Sequence, residues 1–111
     1  MDALVFYKLL ADETRLKSLL LLESAGELCV CDLMTALELS QPKVSRHLAD
    51  LRNNQVVEAT RKGKWVFYRI HPDLPSWMKQ ILQLTAQHSP TLISAEQSRL
   101  IGSRCAPNDD Y

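Results

Sequence analysis

"SQPKVSRHLADLRNNQVVEATRKGKWVFYRI", residues 40–70, decides the fold because its periodicity changes half-way along. In the first half Val44, Leu48 and Leu51 form an apolar stripe at helical spacing. Ser40 stands where an N-cap belongs, and Pro42 sits in the first turn, where a missing N–H costs little. Gln41, Ser45, Arg46, Ala49 and Arg52 lie mostly on other faces. In the second half, β-branched and aromatic residues flank "RKGK", and Gly63 can take the positive φ of a tight turn. The stretch reads as a polar-faced helix followed by a β-hairpin with a basic tip.

Working outward, "LCVCDLMTALEL" (28–39) carries Val30, Leu33, Met34 and Leu37 at i, i+3, i+4 and i+7, the helical template. A short turn separates it from the helix after Ser40, which completes a helix-turn-helix outline. Further upstream, Asp12 caps a helix that carries Leu16, Leu19, Leu20 and Glu23 and stops at Gly26. "ALVFYKLL" (3–10) is a short apolar helix. Downstream, Asp73 and Pro75 mark a helix start, with Leu74, Trp77, Met78, Ile81 and Leu84/Thr85 on one stripe until Ser89-Pro90 breaks it. "TLISAEQSRLIG" (91–102) reads as a weak final helix and "SRCAPNDDY" (103–111) as a mobile tail. The fold class is mainly α with a β-hairpin (α+β), a winged helix-turn-helix. It occupies residues 1–90, with a C-terminal extension over 91–111. The apolar helices at 3–10 and 74–88 exceed what so small a domain needs for itself, so a homodimer is expected.

Bulk properties narrow the function. The N-terminus has an acid at its second residue and no long apolar run, unlike a signal peptide. No stretch approaches the roughly 18 apolar residues of a membrane span. The expected setting is cytoplasmic, where thiols stay reduced. Three cysteines, an odd count, then point to metal binding or redox chemistry rather than structural disulfides. Net charge is zero but unevenly spread. Residues 41–71 hold seven Lys and Arg against two acids, and the rest of the chain holds six against eleven. One basic third in a neutral protein suits a polyanion-binding face.

Base-edge readers are expected near the start of the second helix of the motif: Gln41, Ser45 and Arg46, where Gln suits adenine and Arg suits guanine. Lys43, His47 and Arg52 are placed for phosphates, although His47, three residues after Val44, equally reads as a partly packed histidine. Arg61, Lys62 and Lys64 at the wing tip would meet backbone or minor groove. Trp65, Phe67 and Tyr68 read as wing packing rather than as base-stacking groups.

Cys29 and Cys31 are one residue apart. On a regular helix that spacing separates their thiols by about 200°. They would share an ion only if the helix start unwinds, and ligation there would distort the helix that props the recognition helix. Soft thiolates select thiophilic ions, and a helix N-terminus favours thiolate. The alternative is that both are small buried hydrophobes.

"ELCVCDL", "SQPKVSRHLADLR" and "GKWVFYRI", with "ADETRL" upstream, closely resemble the ArsR/SmtB family of metal-responsive repressors, over roughly residues 4–88. The arsenic/antimony-responsive branch matches best. The resemblance implies a homodimeric winged-helix repressor that leaves double-stranded operator DNA when trivalent arsenic or antimony binds cysteine thiolates. No organic cofactor and no membrane partner are implied. Cys29 and Cys31 match two of the branch's ligands. The third cysteine of the pattern falls on Met34 here, and a thioether is a weak, uncharged donor. Cys105 is the remaining thiol that can complete the site. Otherwise two thiolates suffice, as for a methylarsenite-selective repressor. A thiol-based redox or sulfide sensor on the same fold is the competing reading. An enzyme is not expected: there is no CxxC and no histidine–acid arrangement that suggests a base.

Overall fold

Four consecutive leucines, Leu19–Leu22, are all buried, and they make α2 (Glu13–Ala25) the axis of the molecule. A computed structural model describes residues 1–102 of the chain. Around α2 pack α1 (Ala3–Leu10), α3 (Val30–Leu37), α4 (Gln41–Asn53) and α5 (Ser76–His88), and α6 (Ser94–Gly102) follows a single 3-10 turn at Pro90–Leu92. The strands β1 (Leu28–Cys29), β2 (Val57–Lys62) and β3 (Trp65–Ile70) form one antiparallel sheet in the order β1-β3-β2. Each fully buried leucine contributes about 1.5–3 kcal/mol of transfer free energy. The core therefore rests mainly on α2, together with Leu33, Val44, Leu48 and Leu51 of the helix-turn-helix.

Local chemistry sets the boundaries. Asp2 and Asp12 accept from the backbone N–H of Val5 and Arg15, at 2.9 and 3.0 Å, and so start α1 and α2. Gly26 takes φ +89 and ends α2. Glu38 adopts the left-handed conformation, φ 55 and ψ 47, which closes α3 and leaves a three-residue turn before α4. Ser40 occupies the N-cap of α4 by position, but its side chain makes no capping hydrogen bond. The hairpin pairs Lys62 with Trp65 around Gly63-Lys64, and Gly63 alone of these two takes positive φ (62°). That is the two-residue turn with glycine first.

Three expectations need correction. The helix carrying the cysteines begins at Val30, not before Cys29. Leu28 and Cys29 are extended and pair with Tyr68 and Phe67 of the wing. On α5 the core is reached by Met78 and Leu82, whereas Trp77 and Leu84 are exposed, so the apolar stripe is rotated from the one expected. The helix start there is Pro75, whose carbonyl receives the N–H groups of Met78 and Lys79; Asp73 does not cap it. The expected final helix is present as α6 (Ser94–Gly102). Ile93 and Leu100 join the core, and α6 packs on α3 and is bonded to α2 through Lys17–Glu96 and Gln97–Ser24. Residues 103–111, with Cys105 and the expected tail, lie outside the described residues.

Candidate metal centre and nucleic-acid interface

Cys29 is the N-cap of α3. The N–H of Asp32 donates to the Cys29 sulfur (3.3 Å), and the N–H of Cys29 donates to the Asp32 carboxylate (3.3 Å). This is a capping box in which sulfur replaces the usual hydroxyl and Asp replaces Glu. The signal for it was in the sequence as an acid three residues after Cys29. Read that way, it would have placed the helix start at Val30. Both residues are buried: Cys29 is 1% and Asp32 0% exposed. Burial is the main influence raising the Cys29 thiol above its ordinary pKa. The Asp32 backbone N–H opposes that rise, and the Asp32 carboxylate adds to it through its charge. The expected thiolate-favouring effect of a helix start is thus outweighed at Cys29.

Because Cys29 ends a strand and Cys31 lies in the first turn of α3, the helical 200° separation does not describe the pair. Instead both line one surface cleft with Val30 and Met34, with Gln41 at the start of α4, and with Lys64, Trp65 and Val66 of the wing. Three sulfur-bearing side chains therefore line one cleft; Cys31 is disulfide-bonded in this structure, so the thiolate pair that would suit a soft, thiophilic ion exists only in the reduced protein. Among the described residues no three His, Cys, Asp or Glu side chains are assembled as a metal site. The described part of the chain offers two cysteines, and Cys105 lies beyond it.

The candidate DNA-contacting residues divide. Gln41, Lys43, Arg46 and Arg52 on α4 are exposed. The Gln41 amide donates to the Ser45 hydroxyl at 2.8 Å, which holds these two on one face a helical turn apart. His47 is half-buried, with Nδ1 3.7 Å from the Asp12 carboxylate at the start of α2. It packs against the core side of α4 rather than standing out with the arginines. Asp12 itself is held below the ordinary carboxylate pKa, first by the Arg15 N–H and then by the charges of His47 and Arg15, against the opposing effect of burial. On the wing, Arg61 and Lys64 are exposed at the tip. Lys62 is not a tip cation: its ammonium donates to Glu27 at 2.8 Å and lies 4.9 Å from the Phe67 ring centroid. Glu27, two residues before Cys29, thereby ties the cysteine strand to the wing. Arg69 is paired with Glu58.

Sequence reasoning did not single out Asp32 or the network at the far end of α3. There the Arg99 guanidinium donates to the Ala36 carbonyl (2.8 Å) and lies 3.5 Å from Glu38. Glu96, 7% exposed, receives Lys17 at 2.8 Å. Burial works to raise the Glu96 pKa, but Lys17, its own backbone N–H and Arg99 together hold it below the ordinary value. Lys17 is correspondingly raised, chiefly by its hydrogen bond to Glu96.

Comparison with known proteins places this arrangement. A family model described as "Bacterial regulatory protein, arsR family" matches residues 12–59. The arsenic resistance transcriptional regulator ArsR2 of Pseudomonas putida is 51% identical over 94 residues, 85% of this chain and 82% of that protein. Among solved structures, HlyU from Vibrio cholerae superposes with a TM-score of 0.72 at 34% identity, covering 79% of this chain and 91% of that one. The AntR antimony-specific transcriptional repressor gives a TM-score of 0.67 at 33% identity, covering 85% and 79%. No helix among the described residues is long and apolar enough to cross a membrane. With a winged helix-turn-helix, a family match that spans both helices of that motif and a relative 51% identical over 94 residues, the chain belongs to the ArsR family of bacterial transcriptional regulators.

Proposed function

We propose that the chain is a transcriptional repressor that binds operator DNA as a homodimer and is released when trivalent arsenic or antimony is held by its cysteine thiolates. One observation carries the reading: Cys29, Cys31 and Met34 line the same cleft as the first residue of the recognition helix and the first residues of β3. An ion bound there lies against both DNA-reading elements. The names of the relatives, an arsenic resistance regulator and an antimony-specific repressor, support that ligand class. Cys105 is the proposed third thiolate. Gln41, Ser45 and Arg46 are the proposed base readers, with Lys43, Arg52, Arg61 and Lys64 on phosphates. The proposed dimer surface is formed by α1 and α5. Leu4, Tyr7, Trp77 and Leu84 are exposed there, and Phe6, Tyr7 and Trp77 form a ring cluster joining the two helices. Such a dimer presents two recognition helices to half-sites about one helical turn apart.

The test is fluorescence anisotropy of DNA from upstream of the chain's own gene, with and without arsenite or antimonite, under reducing conditions. Cys29→Ser and Cys31→Ser are expected to bind the DNA and to stay bound when metalloid is added. Normal release by both variants would sink the assignment. Weakened release by Cys105→Ser would make that residue a ligand.

A further inference from the structure

We propose that Trp65 is the positioning residue that carries inducer occupancy from the cysteines into the wing. The inference rests on the metalloid site proposed above and names the group through which that site acts.

The sheet register places Trp65 beside the cysteines. Leu28 pairs with Tyr68 and Cys29 with Phe67, so the next β3 residue on the Cys29 face is Trp65. At that point the chain leaves the ladder and turns into α3, and Cys31 lies in the turn. The Trp65 backbone therefore lies along the β3 edge that β1 leaves unpaired, and its side chain, with Val66, lines the cleft that Cys31 and Met34 also line. A metalloid bonded to the sulfurs there has the ring as its neighbour.

The ring is also free to respond. Its Nε1 is buried with no hydrogen-bond partner among the described residues, so shape rather than a polar tether holds it. A buried donor left unpaired gains by reaching water, which favours outward movement of the ring when it is displaced. Its other connection leads to DNA: the Lys64 ammonium lies 5.6 Å from the Trp65 ring centroid. Displacing the ring shifts the exposed cation at the wing tip. Yielding in the other direction is opposed, because Arg99 and its network clasp the far end of α3, whereas β1 contributes only two residues to the sheet.

The protein has two tryptophans, so Trp77→Phe, which keeps a ring in the proposed dimer surface and is compared with wild type for operator affinity without metalloid, leaves Trp65 as the sole tryptophan emitter. Titration of the reduced Trp77→Phe protein with antimonite should change Trp65 emission and saturate at the stoichiometry of metalloid binding, measured separately by thiol-to-metal absorbance. The second readout is coupling, the ratio of operator affinities without and with saturating antimonite, which for such regulators spans roughly 5–150-fold. Trp65→Ala should bring that ratio towards one while the protein still binds antimonite, and Trp65→Phe, which keeps a ring, should retain most of it. Trp65 emission that ignores antimonite, or an unchanged ratio in Trp65→Ala, overturns the proposal. If Trp65→Ala does not fold, the emission titration of the Trp77→Phe protein still decides. Wild-type protein that binds no antimonite would instead defeat the function proposed above. Normal wild-type release together with normal Trp65→Ala release would defeat only the role of Trp65.

Discussion

The two ends of α3, a helix of eight residues, are held in opposite ways. At the first, a thiol sulfur accepts the capping N–H, the carboxylate beside it is buried, and a cleft opens towards the wing. At the second, a guanidinium binds the Ala36 carbonyl and is backed by Glu38, Glu96 and Lys17. Sulfur is a weak hydrogen-bond acceptor, and charge-assisted bonds are among the strongest a surface helix makes. The comparison assigns the ends different jobs: the first can exchange its cap for another partner of sulfur, and the second keeps the helix on α2 and α6 while it does so.

The largest effect should come from the residue both ends share. Leu33 is fully buried in the middle of α3, and Leu33→Ala should cost about 2–5 kcal/mol by lost transfer and a residual cavity. Urea unfolding measures the loss, and amide exchange should quicken at both ends together. Exchange that quickens at one end only would mean that α3 is not one rigid element, and the contrast would then be between separate turns.

Asp32→Ala should cost less, about 1–3 kcal/mol, because it leaves the buried Cys29 N–H without its acceptor. Faster exchange should be confined to Cys29 and to the β1–β3 pairing at Leu28 and Tyr68. Acceleration around Ala36 instead would contradict the division of the helix into a labile and an anchored end.

This division was only half legible in the sequence. Helices with an apolar stripe and a good cap announced themselves: Asp12 before α2, and Val44, Leu48 and Leu51 along α4, fall where periodicity and capping chemistry put them. The hairpin was readable from Gly63 and the β-branched residues around it. What stayed hidden was non-local. Two residues of strand at Leu28–Cys29 have no period of their own and exist because β3 offers an edge, so helical periodicity absorbed them. Lys62 and Lys64 look alike in sequence, yet only contact with Glu27, 35 residues away, takes Lys62 off the tip. His47 meets Asp12 across the same separation. The anchored end depends on Arg99 reaching Ala36 across 63 residues, a contact that no local pattern encodes.

The smallest expected effect tests the anchored end through pH. Glu96 has a folded pKa below its ordinary value of about 4.5, because Lys17, its own N–H and Arg99 outweigh its burial. A carboxyl depressed in this way stabilises the fold fully above its unfolded pKa. That contribution is lost as pH falls through the folded value, so the sensitive window opens near 4.5 and extends below it. Asp12 is depressed too and contributes a decline in the same direction. The informative quantity is therefore the difference between wild type and Glu96→Gln. Glutamine keeps an acceptor for Lys17 but removes the charge, so the variant should be weaker by about 1 kcal/mol at neutral pH. The gap should narrow as pH falls below 4.5, where wild-type Glu96 is itself neutralised. Urea midpoints at several pH values give the two curves. Curves that stay parallel through acid would show that the Glu96 charge does not hold α6, leaving the anchoring of α3 to Arg99 and the apolar contacts of Ile93 and Leu100.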